Sequence, residues 1–442
     1  MTTLRVEPRT LRGFRDYLPE DMIPRQRMLN RVTEVFERHG FLPLGTPALE
    51  YSEVVLGKYG ADAEKLLFRF LDNGGRDVCM RYELTTSLAR VAAQYRHLPK
   101  PLKCYQIGPV WRAETPGHGR FREFYQCDAD IVGAEGPLAE HECLQLDYDV
   151  LTALGIEQFV IRVSNRRLLD ALGEKLGIRD VDRKHAVGRT IDKLSSQGEE
   201  AVRALLARDA GLTTDQTAGV FDFLAIKGTN EDVLRGLRAY FDGITEGTEG
   251  ADILETLLGY AHSGGVPEGV IQLDTSIVRG LDYYTGTVYE TFLLDMPELG
   301  SVMSGGRYDG LVSVFTEEEV PAVGISIGID RLLSGLQEMG RIEKSASVAR
   351  VLVTVFNDEM AAASLSAASG LRKAGIPTEV SVEGGGLRRQ LKYANRRNIP
   401  FALIIGPDEA AEGKMTLRDM TSGEQHACST VDEVREIVSR DL

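Results

Sequence analysis

Apolar residues at helical spacing open the chain: Met28, Leu29, Val32, Val35 and Phe36 share one face over residues 25–38, and Gly40 stops that helix before the extended stretch FLPLGTPALE. The expected order is helix, turn, strand, with Pro47 inside the strand. Strand patterns recur at VCMRYEL, KCYQIGPVWR and REFYQCDADIVG, and a βα pattern follows over residues 158–172. From about 165 to 250 the text changes to short amphipathic helices broken by glycines and charges, such as EEAVRALLARDAGL and NEDVLRGLRAYFDGI. Strand signals return at GVIQLDTSIV, TGTVYETFLLD and AVGISIGID, the last running into the helical pattern IDRLLSGLQEMG. After residue 341 the small polar segment IEKSASVA reads as a linker. Beyond it VLVTVF, a helix near 358–374, TEVSV, a helix near 387–397 and FALIIG alternate in βαβαβ order. The fold class is α/β: a mixed sheet with flanking helices, interrupted by a helical insertion and followed by a compact C-terminal α/β domain.

A length of 442 residues leaves room for two or three domains and a large core. With 43% hydrophobic and 26% charged residues the chain has ordinary globular composition, which excludes disordered, fibrous and disulfide-stapled classes. The start lacks a charged leader followed by an apolar stretch, and no apolar run nears the ~18 residues of a membrane span, so a cytoplasmic location away from membranes is expected. Cys79, Cys104, Cys127, Cys143 and Cys428 are scattered without a CxxC pair, which signals neither a disulfide framework nor a zinc site. A net charge of −15 argues against a protein that coats nucleic acid indiscriminately, while leaving room for a local basic surface.

The richest chemistry lies at Trp111-Arg112-Ala113-Glu114, the loop TPGHG, and then Arg120 to Asp130. Strand alternation places Arg122, Phe124, Gln126, Asp128 and Asp130 on one face, so a cation, an aromatic plane and two carboxylates project together. GISIGIDRL, ending in Asp330, Arg331 and Leu332, is by itself equally compatible with a glycine-containing core strand entering a helix. The helix and strand around Pro47 alone read as a buried helix and an edge strand. Near the C-terminus Arg388, Lys392 and Arg396 share a helical face, with Arg389 beside them; such a face fits solvated surface as well as RNA contact.

Together these stretches resemble the class II aminoacyl-tRNA synthetases. WRAE, loop and RxxxFxxxD look like their motif 2, GISIGIDR like motif 3, and the Pro47 region like the dimer-forming motif 1. RGLDYYTG, from Arg279 to Gly286, and GGRYDGL, from Gly305 to Leu311, narrow the resemblance to the histidyl-tRNA synthetases. That resemblance implies that Arg112 holds the α-phosphate of ATP, Phe124 stacks on adenine, Glu114 reads the adenine edge, Arg120 reaches the γ-phosphate and Arg331 contacts phosphate. It places Arg279 between the amino-acid carboxylate and the α-phosphate, making Arg112, Arg279 and Arg331 the catalytic cations. Histidine would be held by Glu83 and Thr85 at its α-amino group, by Gln126 and Asp130, and by Tyr283 and Tyr284 around the imidazole. The chemistry agrees: phosphoryl transfer needs positioned cations and a purine needs an aromatic plane. Asp330 replaces a usual glutamate, and Asp130 and RYELT are closer to the eukaryotic and archaeal branch. His118 in the motif 2 loop is either a tRNA contact or a solvent-exposed histidine.

The implied activity is that of a histidine–tRNA ligase, which makes histidyl-adenylate from histidine and ATP and then charges tRNA(His). Mg2+ would bridge the ATP phosphates, with no metal site built by the protein itself. The chain would be a homodimer, with a catalytic domain over 1–164 and 251–340, a helical insertion over 165–250 and an anticodon-binding domain over 346–442, where Arg388, Arg389, Lys392 and Arg396 face tRNA. The alternative is a non-catalytic, histidine-sensing regulatory paralogue associated with ATP phosphoribosyltransferase. Such paralogues lack the anticodon-binding domain and depart from the catalytic motifs, whereas this chain keeps both.

Overall fold

A computed structural model describes residues 6–57, 64–117, 120–278, 280, 284–342, 344–383 and 385–440. The chain divides into two compact units, Met1–Arg15 with Met28–Glu338 and Asp16–Arg27 with Met339–Leu442. The fold is α/β overall, with a largely antiparallel sheet flanked by helices in the first unit and a smaller mixed sheet in the second.

In the first unit β1 (Leu42–Pro43), β2 (Leu49–Tyr51), β3 (Arg69–Leu71), β4 (Asp77–Met80), β5 (Leu102–Trp111), β6 (Glu123–Val132), β7 (Phe159–Asn165), β8 (Ile271–Leu273), β9 (Thr287–Leu293), β10 (Ser301–Arg307) and β11 (Ala322–Ile327) form two sheets. The larger has the order β1-β5-β6-β11-β10-β9-β7-β8, and the smaller β2-β4-β3. At the centre of the larger sheet β5, β6, β11, β10 and β9 pair antiparallel, whereas β1–β5 and β7–β8 at its margins are parallel. Helix Pro137–Ala153 buries Cys143, Leu144, Leu146, Val150 and Leu151, a broad apolar face that packs on the sheet. The five cysteines are buried and free.

Several elements differ from the sequence expectation. The first helix runs Pro19–Arg38, beginning well before residue 25, because Pro19 suits a first helical position and Glu20 and Asp21 match the helix dipole. Pro47 lies between β1 and β2, outside any strand. The Leu44 amide makes the last backbone bond to β5, reaching the Tyr105 carbonyl at 2.9 Å, and beyond it the Thr46 side chain touches that strand, at Gln106; proline cannot donate to a ladder. In VCMRYEL the strand ends at Met80, since the Glu83 carboxylate accepts the Thr85 and Thr86 amides and starts helix Thr85–Gln94 instead.

Residues 166–263 are helical and belong to the first unit. Asn165, Asp180, Thr213 and Thr229 cap four of these helices through their side chains, the last two in reciprocal capping boxes.

The second unit carries β12 (Val351–Val353), β13 (Thr378–Val380), β14 (Phe401–Ile404), β15 (Met415–Asp419) and β16 (Gln425–Cys428) in the order β13-β12-β14-β15-β16. The first three are parallel, as the βαβαβ pattern requires; β15 and β16 add an antiparallel hairpin that the pattern reading did not anticipate. Its turn is built by Asp419, whose Oδ1 accepts the Thr421 and Ser422 amides, and by Gly423 at φ +80°. Val351, Val353, Leu371, Phe401, Leu403, Leu417, Val434 and Val438 form the core.

His39 makes a pH-dependent contact in the first unit. Its Nδ1 lies 3.3 Å from Glu142 Oε1 and its Nε2 2.8 Å from Asp149 Oδ2, while Lys103 Nζ donates to the His39 carbonyl at 2.7 Å and to Glu142 at 2.8 Å. Carboxylates facing both ring nitrogens are satisfied only by the doubly protonated ring. The bond to Glu142, helped by Asp149, raises the His39 pKa above its ordinary 6.5, and the same bond, with Lys103, lowers Glu142 to about 2. The histidine share of stability is therefore complete below 6.5 and lost as pH rises through the raised value; the Glu142 share is present above its ordinary 4.5 and lost as pH falls toward about 2. H39Q is expected to cost about 1 kcal/mol near pH 6, after discounting for partial exposure of the carboxylates, and nearly nothing near pH 9. Chemical unfolding of both proteins across that range checks it, and a difference independent of pH would discount the ion pairs.

Candidate active site

The β5–β6 hairpin, the start of β10, the end of β11 and helix Ile329–Glu338 line a cleft open to solvent. Arg112, Glu114, Arg120, Phe124, Gln126 and Arg331 all line it, so residues spread over more than half the first unit converge on one space. Arg112 follows directly on β5. Its guanidinium lies 4.3 Å from the Tyr82 ring centre and 5.1 Å from that of Phe124, and Nε donates to the Tyr82 carbonyl at 3.2 Å. Among the described residues no carboxylate forms an ion pair with it, which leaves its charge for a ligand. Arg120 and Glu114 approach to 3.7 Å in an exposed pair that contributes little to stability.

Arg331 sits in the first turn of helix Ile329–Glu338, its Nη1 donating to the Ser301 carbonyl at 2.8 Å. Asp330 beside it is buried, with Oδ2 accepting the Tyr125 amide at 2.8 Å and Oδ1 3.9 Å from Arg15 Nη2. That bond ties the helix to β6 and fixes where Arg331 emerges.

Further along the same face of β6 the chemistry changes sign. Asp128 and Asp130 are both buried. The Tyr308 hydroxyl donates to Asp130 Oδ1 at 2.5 Å, and Ser326 Oγ donates to Asp128 Oδ1 at 2.5 Å. Burial pushes the Asp130 carboxyl up to about 7 and that of Asp128 well above its ordinary range, with Glu83 near enough to add to both. Tyr284 is likewise held above its ordinary value by burial and by Asp130 and Asp128. At Gly324 and Gly306 the wall is bare backbone. A Cβ on Gly324 would lie 1.9 Å from Asp130 Oδ1, and one on Gly306 would lie 2.8 Å from the Tyr284 ring.

Residues 13–332 match the family model described as histidyl-tRNA synthetase, and residues 350–440 match the one described as anticodon binding domain. The chain belongs to the histidyl-tRNA synthetase family. Among its relatives is the histidine–tRNA ligase of Wolinella succinogenes, 40% identical over 437 residues, an alignment covering 98% of each chain. The crystal structure of histidyl-tRNA synthetase from a Nostoc species superposes with a TM-score of 0.90 at 32% identity, covering 99% of this chain and 100% of that one. A Bacillus halodurans structure described as an ATP phosphoribosyltransferase regulatory subunit/histidyl-tRNA synthetase shares the fold, with a TM-score of 0.73 at 22% identity over 86% of this chain and 95% of the other.

Within this histidyl-tRNA synthetase family fold, some expected residues fall elsewhere. Arg122 does not line the cleft with the others: it stands just before β6, which starts at Glu123. Its Nε donates to the Glu114 carbonyl and its backbone amide to the Gly13 carbonyl, so it braces the loop instead. Arg279, Tyr283 and His118 lie outside the described residues. Arg388, Arg389, Lys392 and Arg396 are exposed on helix Leu387–Arg396 of the second unit, with Arg389 paired to Glu383 at 2.9 Å. The sequence reading gave no role to Tyr308 or Ser326, although Tyr308 lies in GGRYDGL and Ser326 in GISIGIDR.

Proposed function

We propose that this chain is a histidine–tRNA ligase: it converts histidine and ATP to histidyl-adenylate and pyrophosphate, then moves the histidyl group to the 3′-terminal adenosine of tRNA(His). The observation that carries this reading is one cleft in which three arginines and an aromatic ring adjoin Gln126 and the buried carboxylates of the same strand. In the first step the histidine carboxylate attacks the α-phosphorus, the bond to the bridging oxygen breaks, and pyrophosphate leaves. Arg112 and Arg331 stabilise charge growing on the phosphates, Phe124 stacks on adenine with Glu114 at its edge, and Arg120 meets the γ-phosphate. Arg279 is assigned by resemblance to bridge the carboxylate and the α-phosphate.

An imidazole N–H donates to Asp130, whose position Tyr308 holds, and Tyr283 and Tyr284 close the ring pocket. The α-ammonium has three donors, for which Glu83, the Thr85 hydroxyl and Gln126 Oε1 are the acceptors; Oε1 is buried and has no partner among the described residues. Amino acids lacking such donors would leave these groups unpaired, and that penalty discriminates strongly. Mg2+ would arrive on the ATP phosphates and offset their charge.

The domain assignment follows the same reading: catalytic over 1–164 and 251–340, insertion over 165–250 and anticodon-binding over 346–442, with Arg388, Arg389, Lys392 and Arg396 toward tRNA. A homodimer is supported by the exposed Leu42, Leu49, Tyr51, Phe70 and Leu71 on β1 and the three-stranded sheet. A cytoplasmic site accords with five free, buried cysteines; among the described residues no helix is long and apolar enough to cross a membrane.

ATP–pyrophosphate exchange, run without tRNA on each of the twenty amino acids, tests the assignment. Exchange with histidine alone is expected. A folded protein that binds histidine but exchanges nothing would instead be the regulatory paralogue.

A further inference from the structure

We propose that Asp128 and Ser326 are a positioning pair that fixes which end of the Gln126 side-chain amide faces the amino acid. The proposal rests on the ligase reading above and adds two residues to it. Ser326 on β11 stands directly opposite Asp128 on β6, and Gln126 is two positions along the same face of β6. Ser326 Oγ donates to Asp128 Oδ1 at 2.5 Å, and Gln126 Nε2 donates to Ser326 Oγ at 2.7 Å.

The direction of this chain of bonds follows from counting hydrogens. A serine hydroxyl has one hydrogen, and Asp128 Oδ1 takes it. What remains on Ser326 toward Gln126 is lone pairs, which only the amide nitrogen can meet. The amide of Gln126, a residue that lines the cleft, therefore turns Oε1 away from Ser326, and that oxygen is buried and unpartnered among the described residues. Turned over, the amide would set its oxygen against the serine lone pairs and its NH2 against an incoming ammonium, a donor facing a cation. Leaving a polar atom such as Oε1 buried without a partner is costly in the free protein, and a ligand donor removes that cost.

A purely structural tie between strands does not account for the pair. β6 and β11 are already joined by a ladder from Cys127↔Ile327 to Val132↔Ala322, and Asp128 is buried where an apolar residue would cost less. Ser326 and Asp128 act on the substrate only through Gln126.

The test is S326A in the full-length protein, assayed by ATP–pyrophosphate exchange and by inhibition with imidazolepropionate, which is histidine without its ammonium. The KM for histidine is expected to rise about tenfold while the KM for ATP and the imidazolepropionate inhibition constant stay within about twofold, the size of effect one charge-assisted hydrogen bond carries. S326T, which keeps the hydroxyl, should return the histidine KM to within about threefold of the original. D128A is the second variant: with its acceptor gone, the serine hydrogen is free to turn onto Gln126 Oε1, and the histidine KM should rise with imidazolepropionate again unaffected. An unchanged histidine KM in both variants overturns the proposal, and so does equal weakening of histidine and imidazolepropionate, which is what general damage to the pocket would give. Absence of histidine-dependent exchange in the unaltered protein would instead overturn the ligase reading, and this proposal with it.

Discussion

Substituting Arg112 with alanine is expected to lower histidine-dependent ATP–pyrophosphate exchange about 10²–10³-fold, a loss of about 2.7–4 kcal/mol of transition-state stabilisation. The expectation follows from where the charge is held. Tyr82 and Phe124 flank the guanidinium and the Tyr82 carbonyl takes its Nε, which sets its orientation without neutralising it. A phosphate is then its natural counter-charge, and its fork suits two oxygens at once. R112K keeps a point charge but loses the fork and the ring contacts, so it should recover only a small part of the rate. Urea unfolding of R112A should show little loss of stability. A folded R112A that exchanges within tenfold of the original would remove Arg112 from the chemical step.

Replacing Arg307 with methionine is expected to cost about 3–5 kcal/mol of stability, read as the shift in urea unfolding of the whole chain. Arg307 and Glu140 are both buried. Nε donates to Glu140 Oε1 at 2.5 Å, Nη1 to Asp309 Oδ1 at 3.0 Å and Nη2 to the Gly136 carbonyl at 2.9 Å. Glu140 Oε2 in turn accepts from Thr287, which accepts from Asn165. Methionine fills much of the same volume, so the loss comes from a carboxylate stranded in the interior rather than from a cavity. The double variant R307M/E140L should therefore be more stable than R307M alone. A loss under about 1 kcal/mol for R307M would show that Glu140 finds other compensation.

The particular residues show what a sequence can reveal about such a site. Phe124, Gln126, Asp128 and Asp130 were legible as one face because β6 is a regular strand with a two-residue period, and the prediction failed only at Arg122, which precedes the strand and whose guanidinium is taken by the Glu114 carbonyl of the loop. Nothing local signals that Ser326 meets Asp128 or that Tyr308 meets Asp130, since each pair is brought together by strand register across far more than a hundred residues. Pattern also overran at VCMRYEL, where an acidic residue just before a helix outweighed β-propensity. The hairpin β15–β16 was missed although its turn chemistry, Asp419 to Gly423, is present in the text: its strands are short and half-exposed, so their alternation is faint.

The row of side chains along β6 has one more consequence. It begins beside the guanidiniums of Arg112 and Arg331, passes the uncharged Gln126, and ends at Asp128 and Asp130. In the ligase reading proposed above, an ammonium placed at the guanidinium end meets charge of its own sign, and a polyphosphate at the other end meets buried acidic side chains instead of guanidiniums, so each substrate is turned away from the other's seat before shape is tested. The two reacting groups, a carboxylate and a phosphate, would then meet between these two ends. In that reading, mutual exclusion of the substrates also sets the place of the reaction.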